Sequence, residues 1–342
     1  MTKKKYQSQF LKLQKIGIRH FDELIHDQKK EWLIKHFKKG SDEYPVNVAR
    51  LIRNIIWQMR ERILKKEKPL LNELIRTFWY MYIKATLSRA GALSHTRDQY
   101  NDMIEQFVFL VMKQKIMKYK DFGFRDENEA NRQVGINAHI VIVAEKAGHA
   151  GFLKEIHEQY QVSTIALGGQ PSALTSEYFV RELKKSGVDI RRSFYLFTIV
   201  DYDPSGWIIR NAFIKNLYSF GIKNVKYYDL INPDMLKSEE IILSKYSIPS
   251  KKLMHKKNKA WLKEIQKLKY KNQQYLGSTL LSARNYGLEA ESVSTKRIAE
   301  KLKEVMVPLL GKSERLLRIH QIEQAMEIIK EMMMLKLIWE AE

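Results

Sequence analysis

Residues 194–206 read FYLFTIVDYDPSG, and both the architecture and the chemistry grow outward from them. Phe194–Val200 is an apolar run of strand length, rich in aromatic and β-branched side chains. It ends on Asp201, with Asp203 two residues on. Pro204 and Gly206 force a tight turn that holds the two aspartates at a fixed spacing, ahead of a helix over Gly206–Phe220. Upstream, Asn137–Ala144 (NAHIVIVA) reads as a second buried strand, and it ends on Glu145. Between them the pattern gives a helix over Gly151–Tyr160, a strand over Val162–Leu167, a turn at Gly168–Gly169 and a helix over Ala173–Lys185. Downstream, Val225–Tyr228 reads as a further strand. Strands alternating with helices of about 10–15 residues indicate βαβ units and a parallel sheet. The rest of the chain reads as mostly helical, with nine lysines and one glutamate over residues 251–271.

The first part has a different rhythm. Residues 5–40 read as helical, with Phe10, Leu11, Leu13, Ile16, Ile18, Phe21, Leu24 and Ile25 among lysines. Val46–Lys66 has helical spacing too, with Pro45 suited to a helix start. Residues 1–70 hold 18 basic and 8 acidic side chains, so residues 1–66 read as a basic helical arm. From 67 to 130 come a helix over Leu70–Lys84, a polar turn (SRAGALSHT), a helix over Arg97–Lys118 and a hairpin-like KYKDFGF. With the Val46–Lys66 helix before them, these make three helices and a hairpin, the order of a winged helix-turn-helix, which places a helix in the DNA major groove. Residues 134–342 form the α/β part.

The whole chain has 342 residues, enough for two domains or three small ones. It is 44% hydrophobic and 29% charged, which excludes a mostly disordered polymer. No apolar run reaches the roughly 18–20 residues of a membrane span, and MTKKKYQSQF has no apolar core of a secretory signal. With no cysteine, disulfides, thiolate zinc sites, iron–sulfur clusters and cysteine nucleophiles are excluded. That absence fits an intracellular protein. The net charge is +21. A field of that sign attracts polyanions: nucleic acid first, anionic membrane second, with a lysine-rich solubilising surface as the plainest alternative.

Glu145, Asp201 and Asp203 fall at the carboxyl ends of two strands, where sites lie in parallel α/β sheets. One sheet would unite them across 56 residues. Clustered carboxylates repel unless a cation compensates, and hard oxygen donors suit Mg²⁺, which also takes phosphate oxygens. The plainest alternative is three unrelated loop acids. His95, His139 and His149 read as structural or surface groups. Glu289 and Glu291, in YGLEAES, read first as helix-terminal charges, with a place near this site as the alternative.

This constellation resembles a family. Glu145 after one strand, with Asp201-x-Asp203-Pro-x-Gly after another, is the Toprim pattern of topoisomerases, bacterial primases and some nucleases. Gly169-Gln170-Pro171-Ser172-Ala173-Leu174-Thr175 is similar to a segment of one branch, the A subunit of DNA topoisomerase VI and the meiotic double-strand-break transesterase. The motifs cover roughly residues 67–230. The resemblance implies a winged-helix (CAP-like) domain followed by a Toprim domain, a Rossmann-like parallel sheet. That branch carries a nucleophilic tyrosine four residues after an arginine, usually within Arg-x-x-Tyr-Tyr. Arg76-Thr77-Phe78-Trp79-Tyr80 matches at the arginine and the second tyrosine, with Trp79 in place of the first. A phenol is a weak nucleophile, with pKa about 10, and needs a nearby cation or base. At i and i+4, Arg76 reaches the phosphate that Tyr80 would attack. On its own, FWYMYI reads as a core aromatic stripe, with Tyr82 and Tyr100 as competitors for the role.

The resemblance implies an ATP-hydrolysing type II topoisomerase A-type subunit acting as a homodimer. Tyr80 of one copy would face the Mg²⁺-bearing Glu145, Asp201 and Asp203 of the other, and double-stranded DNA would be cut with 5′-phosphotyrosyl links. Glu145 also moves a proton at the leaving oxygen in this scheme. The chain has no G-x-x-x-x-G-K-S/T loop, so ATP hydrolysis falls to a B subunit of the gyrase type. The expected location is the cytoplasm, on the nucleoid, or the nucleus of a eukaryote. Two alternatives stand beside this reading. One is a Toprim nuclease using metal-activated water without a covalent intermediate; the other is a non-catalytic DNA-binding subunit.

Overall fold

Aromatic clusters in the first part of the chain and apolar strands in the second build separate cores. The chain divides into two compact units, Met1–Glu127 and Asn128–Glu342. The computed structural model describes residues 11–38, 44–254, 256–277 and 284–339. Phe10, at the start of the expected first helix, lies outside the described residues, as does His255 in the lysine-dense stretch.

In the first unit the helix expected over 5–40 is broken into pieces. Residues 11–15 are helical. Gly17 then adopts φ +76°, and the Ile18 N–H donates to the Leu13 carbonyl at 3.0 Å, the glycine-terminated helix ending that other residues reach only with strain. A 3-10 turn at Ile25–Asp27 leads to α1 (Lys30–Phe37). The next helix, α2 (Val48–Leu64), starts at Asn47, whose side chain accepts the Arg50 N–H at 3.0 Å. Its apolar stripe of Leu51, Ile52, Ile55, Ile56, Met59 and Ile63 is buried, so much of the segment read as a basic arm is core.

Helix α3 is one continuous rod in three parts: α-helical Ile75–Phe78, π-helical Trp79–Lys84 and α-helical Ala85–Arg89. It starts five residues later than the spacing predicts. The reason is that residues 70–74 form an irregular turn, with Asn72 at φ +52° and with the Leu71 N–H on the Phe122 carbonyl and the Arg125 N–H on the Glu73 carbonyl, both at 2.9 Å. Helix α4 (Tyr100–Val108) continues as a π-helical turn, Phe109–Lys113, and packs on α2.

The expected hairpin over Lys118–Phe124 does not form. Tyr119–Asp121 is a 3-10 turn, with the Asp121 carboxylate accepting the Lys118 N–H at 3.0 Å. Phe122 and Phe124 stack at 5.1 Å and join Phe78 and Phe107 in the core. The aromatic spacing that reads as strand alternation therefore comes from a turn plugging an aromatic cluster.

In the second unit the observed strands follow the pattern closely. They are β1 (Arg132–Gln133), β2 (Asn137–Ala144), β3 (Val162–Ala166), β4 (Phe194–Ile199) and β5 (Val225–Asp229). The sheet order is β1-β3-β2-β4-β5, parallel throughout except for antiparallel β1 on the edge beside β3. The edge strand was not foreseen; two residues carry too little pattern to read. All eight residues of β2 are buried, as expected of a strand covered on both faces.

Successive side chains alternate between two cores. Ile140, Ile142 and Ala144 join Leu153 and Ile156 of α5 (Ala150–Tyr160) on one face. Val141 and Val143 join Phe179 and Leu183 of α6 (Ala173–Lys185) and Phe213 of α7 (Pro204–Ser219) on the other.

Beyond the sheet come α8 (Ser238–Ser244), β6 (Tyr246–Ile248), α9 (Ser250–Met254), α10 (Lys256–Leu268) and β7 (Asn285–Gly287), with β6 and β7 antiparallel. In the lysine-dense stretch Trp261, Leu262 and Ile265 are buried while Lys259, Lys263 and Lys267 are exposed. The last helix, α11 (Thr295–Trp339), buries Ile298, Leu302 and Met306 against the first face of the sheet. Farther along it Ile322, Met326, Ile329 and Met332–Met334 are exposed. Among the described residues no helix is long and apolar enough to cross a membrane.

Candidate functional site

Parallel pairing fixes where the acids go. Val143 lies beside Thr198 and Ala144 beside Ile199, so β2 and β4 end level. The Glu145 N–H donates to the Ile199 carbonyl at 3.0 Å, and the Glu145 carbonyl accepts the Gly169 N–H at 2.8 Å. Both flanks of that residue are thus pinned, and its carboxylate meets the loop after β4. There the Asp201 N–H points at Glu145 Oε2 at 3.4 Å.

The loop itself is tightly built. The Asp203 N–H donates to the Asp201 carbonyl at 2.9 Å. Asp203 then caps α7, its Oδ1 accepting the Gly206 N–H at 2.8 Å, with Pro204 in the first helical turn. A Cβ on Gly206 would lie 2.0 Å from the Asp201 carbonyl oxygen, so only glycine fits. The turn expected from DYDPSG is therefore present.

A second strip of chain closes over this loop. Tyr202 and Leu288 exchange backbone hydrogen bonds at 2.8 and 3.3 Å, and the Ala290 N–H donates to Asp201 Oδ1 at 2.8 Å. The Tyr246 hydroxyl, brought by β6, hydrogen-bonds Asp203. Lys146 Nζ stands 3.4 Å from Asp201 Oδ1 and is hydrogen-bonded to Glu291. Glu291, read from the sequence as a helix-terminal charge, thus belongs to the rim of the acidic cluster through Lys146. Lys146 and Tyr246 were not singled out. Lys146 had a usable signal, directly following a strand-end acid; Tyr246 had none, because its pairing with β7 spans a long, patternless stretch.

The charges are crowded. Glu145 is held above the ordinary carboxylate range, first by burial and then by the charges of Asp201 and Asp203, with the Asp201 N–H and Lys146 opposing. Burial and the neighbouring Asp203 push the Tyr246 phenol well up. His149 is buried and pulled below its usual value by burial, with Glu291 opposing. By contrast Asp229, a further strand-end carboxylate, is consumed structurally. It accepts the Thr198 hydroxyl at 2.5 Å and a charge-assisted bond from Arg210, whose other arm holds Glu264 at 2.7 Å.

Among the described residues no three His, Asp or Glu side chains stand close enough together to hold a metal ion. Glu145, Asp201 and Asp203 share one sheet edge but do not form a closed cage. One oxygen each of Asp201 and Asp203 is committed to a backbone N–H, and an ammonium lies against Asp201. The donors are all oxygens, the type a hard divalent cation takes, while burial first and the charges of Asp201 and Asp203 next raise Glu145.

The tyrosine belongs to the other unit. Tyr80 is 50% exposed on the π-helical part of α3. Its hydroxyl is engaged by the Arg76 guanidinium, and Lys84 Nζ lies 5.1 Å from its ring centre. Its competitors are half-buried. Tyr82 packs on His26 and Phe78, and Tyr100 on Trp79; burial raises the pKa of both phenols. Trp79, in the place of the family's first tyrosine, is buried. Comparison with protein-family models and with curated proteins finds no match to this chain.

Proposed function

We propose that this chain is a DNA-cleaving subunit of the topoisomerase VI A type, with a winged-helix-like first unit and a Toprim second unit. The observation that carries the reading is the solvent-facing Tyr80 under the Arg76 guanidinium, in a chain whose sheet also gathers Glu145, Asp201 and Asp203 at one edge. The strand order, with sites beyond the carboxyl ends of β2 and β4, supports the Toprim assignment. The broken hairpin leaves the first unit a departure from the usual winged helix.

In this reading two copies pair, and the tyrosine of one serves the acids of the other on double-stranded DNA. Arg76, which engages the Tyr80 hydroxyl, binds the scissile phosphate, and the phenol proton passes to solvent. Tyr80 Oη attacks phosphorus, the bond to the 3′ oxygen breaks, and a 5′-phosphotyrosyl link remains. Glu145, beside the same cluster, moves a proton to the departing oxygen and takes it back on resealing. A Mg²⁺ held by Glu145, Asp201 and Asp203 would neutralise phosphate charge there. Energy for strand passage would come from a separate ATPase subunit.

The test is incubation of the protein with supercoiled DNA, Mg²⁺ and its ATPase partner, followed by denaturation and detection of covalent protein–DNA adducts. Adducts are expected from the native chain and none from Tyr80→Phe. Adducts that persist in Tyr80→Phe remove that residue as nucleophile. A second reading has its own support, since the acidic cluster is built wholly from the second unit. A metal-dependent nuclease would cut without adducts, survive Tyr80→Phe and fail in Asp201→Asn.

A further inference from the structure

The outward face of α10 carries charge of one sign. Lys259, Lys263 and Lys267 stand one helical turn apart and are exposed, while Trp261, Leu262 and Ile265 are buried. The helix has a single acid, Glu264, and it is turned inward, accepting the Trp207 indole N–H at 2.6 Å and the Arg210 guanidinium at 2.7 Å. Two other helices of this unit set a glutamate within a turn of a lysine: Lys154 and Glu158 at 3.9 Å on α5, Lys301 and Glu304 at 3.0 Å on α11. Among the described residues no carboxylate lies within ion-pair distance of Lys259, Lys263 or Lys267. Like charges at i and i+4 weaken a helix, so the stripe lowers stability and no described acid offsets it.

The stripe also has a fixed place. Tyr202, between Asp201 and Asp203, meets the Trp261 ring edge-on at 6.0 Å, and Trp261, Glu264 and Ile265 line a cavity of about 20 Å³ together with Asp201 and Asp203. We propose that the outer face of α10 is a binding surface for the sugar–phosphate backbone of double-stranded DNA, alongside the loop of Asp201 and Asp203. The inference rests on the function proposed above for DNA as the polyanion, and is independent of the chemistry at Tyr80. Lys259 to Lys267 spans about 12 Å of helix axis. Over that length duplex DNA presents about seven charges, one per about 1.7 Å. A row of lysines on one rigid helix suits contact with phosphates, which positions a duplex without reading its sequence. An anionic bilayer is the poorer match, because the apolar face that would enter it is buried in the core.

The test is fluorescence anisotropy of a short labelled duplex titrated with the full chain in EDTA, over a series of salt concentrations, with phosphatidylserine vesicles in parallel. Lys259→Gln, Lys263→Gln and Lys267→Gln together should flatten the slope of log affinity against log salt by about two to three, at about 0.9 per phosphate contact. The same variant should melt no lower than the native chain, since it relieves like-charge crowding. Lys259→Arg with Lys263→Arg and Lys267→Arg keeps the charge and should keep the native slope. Equal charge removed from other exposed positions, by Lys154→Gln, Lys296→Gln and Lys303→Gln, should change the slope by less than about one. A native slope in the folded glutamine variant of α10, or an equal loss in the distant triple, overturns the proposal, as does a glutamine variant that loses only its vesicle binding. If the native chain binds no duplex even at low salt, the DNA reading fails and this inference fails with it. Missing covalent adducts beside a flattened slope uphold this surface and remove only the tyrosine chemistry.

Discussion

Tyr80 and Tyr82 stand two residues apart on one helix and are handled differently by their surroundings. Tyr82 is packed against His26 and Phe78, while Tyr80 faces solvent beneath Arg76. Loss of one exposed hydroxyl leaves packing intact, so Tyr80→Phe should melt within about 1 °C of the native chain while losing its adducts. At the other end of the chemistry, Glu145 makes a prediction about pH. Its folded-state pKa lies above the unfolded value, so the folded chain binds more protons between the two. Stability from this group therefore falls as pH rises through that window. In the presence of a chelator, Glu145→Gln should melt above the native chain at pH 8 and level with it at pH 4. Thermal melts at the two pH values check this, and an unchanged difference between them would contradict it. These acids were legible because they end apolar runs. Lys146 and Glu291 form one contact across 145 residues, and no periodicity reports such a pairing.

Among elements, the start of α7 does the most with the fewest residues. Asp203 caps the helix, Pro204 fits its first turn, and Gly206 lets the Asp201 carbonyl lie against the backbone. A methyl group at Gly206 meets backbone, not a movable side chain. Gly206→Ala should therefore cost about 1–3 kcal/mol by chemical denaturation and should disturb Asp201 and Asp203 together. A loss below about 0.5 kcal/mol would mean that the loop has room to shift. This element was readable because proline and glycine constrain the backbone in known ways. The strands were readable for a related reason: β2 and β4 are mostly apolar and almost wholly buried, because both faces are covered. The segment Lys118–Phe124 misled because buried aromatics at alternate positions look alike in a hairpin and in a turn that plugs a core. The start of α3 misled because residues 70–74, helical by composition, are drawn into an irregular turn by backbone bonds to Phe122 and Arg125. Propensity yields to such partners when the tertiary bonds are on offer.

For the whole molecule, two compact units, each with apolar packing of its own, mean two folding units. The second has a sheet covered on both faces, with α11 completing one of them. Residues 128–342 expressed alone should give a single cooperative melt and a circular-dichroism spectrum of mixed helix and strand. A broad, non-cooperative transition would show that this unit depends on the first. The division into a helical first part and a sheet-bearing second part was visible in the change of periodicity near residue 134. The sharing of the first core between the basic segment and the tyrosine-bearing helices was not, because an apolar helical stripe does not say which element covers it.

The outer stretch of α11 carries a chemical liability of its own. Met326, Met332, Met333 and Met334 hold their thioethers in solvent, whereas Met59, Met103 and Met306 are sealed in the cores. A peroxide would strike the first group long before the second, converting pliable apolar side chains into polar sulfoxides and changing the wetting of that rod while both cores stay intact.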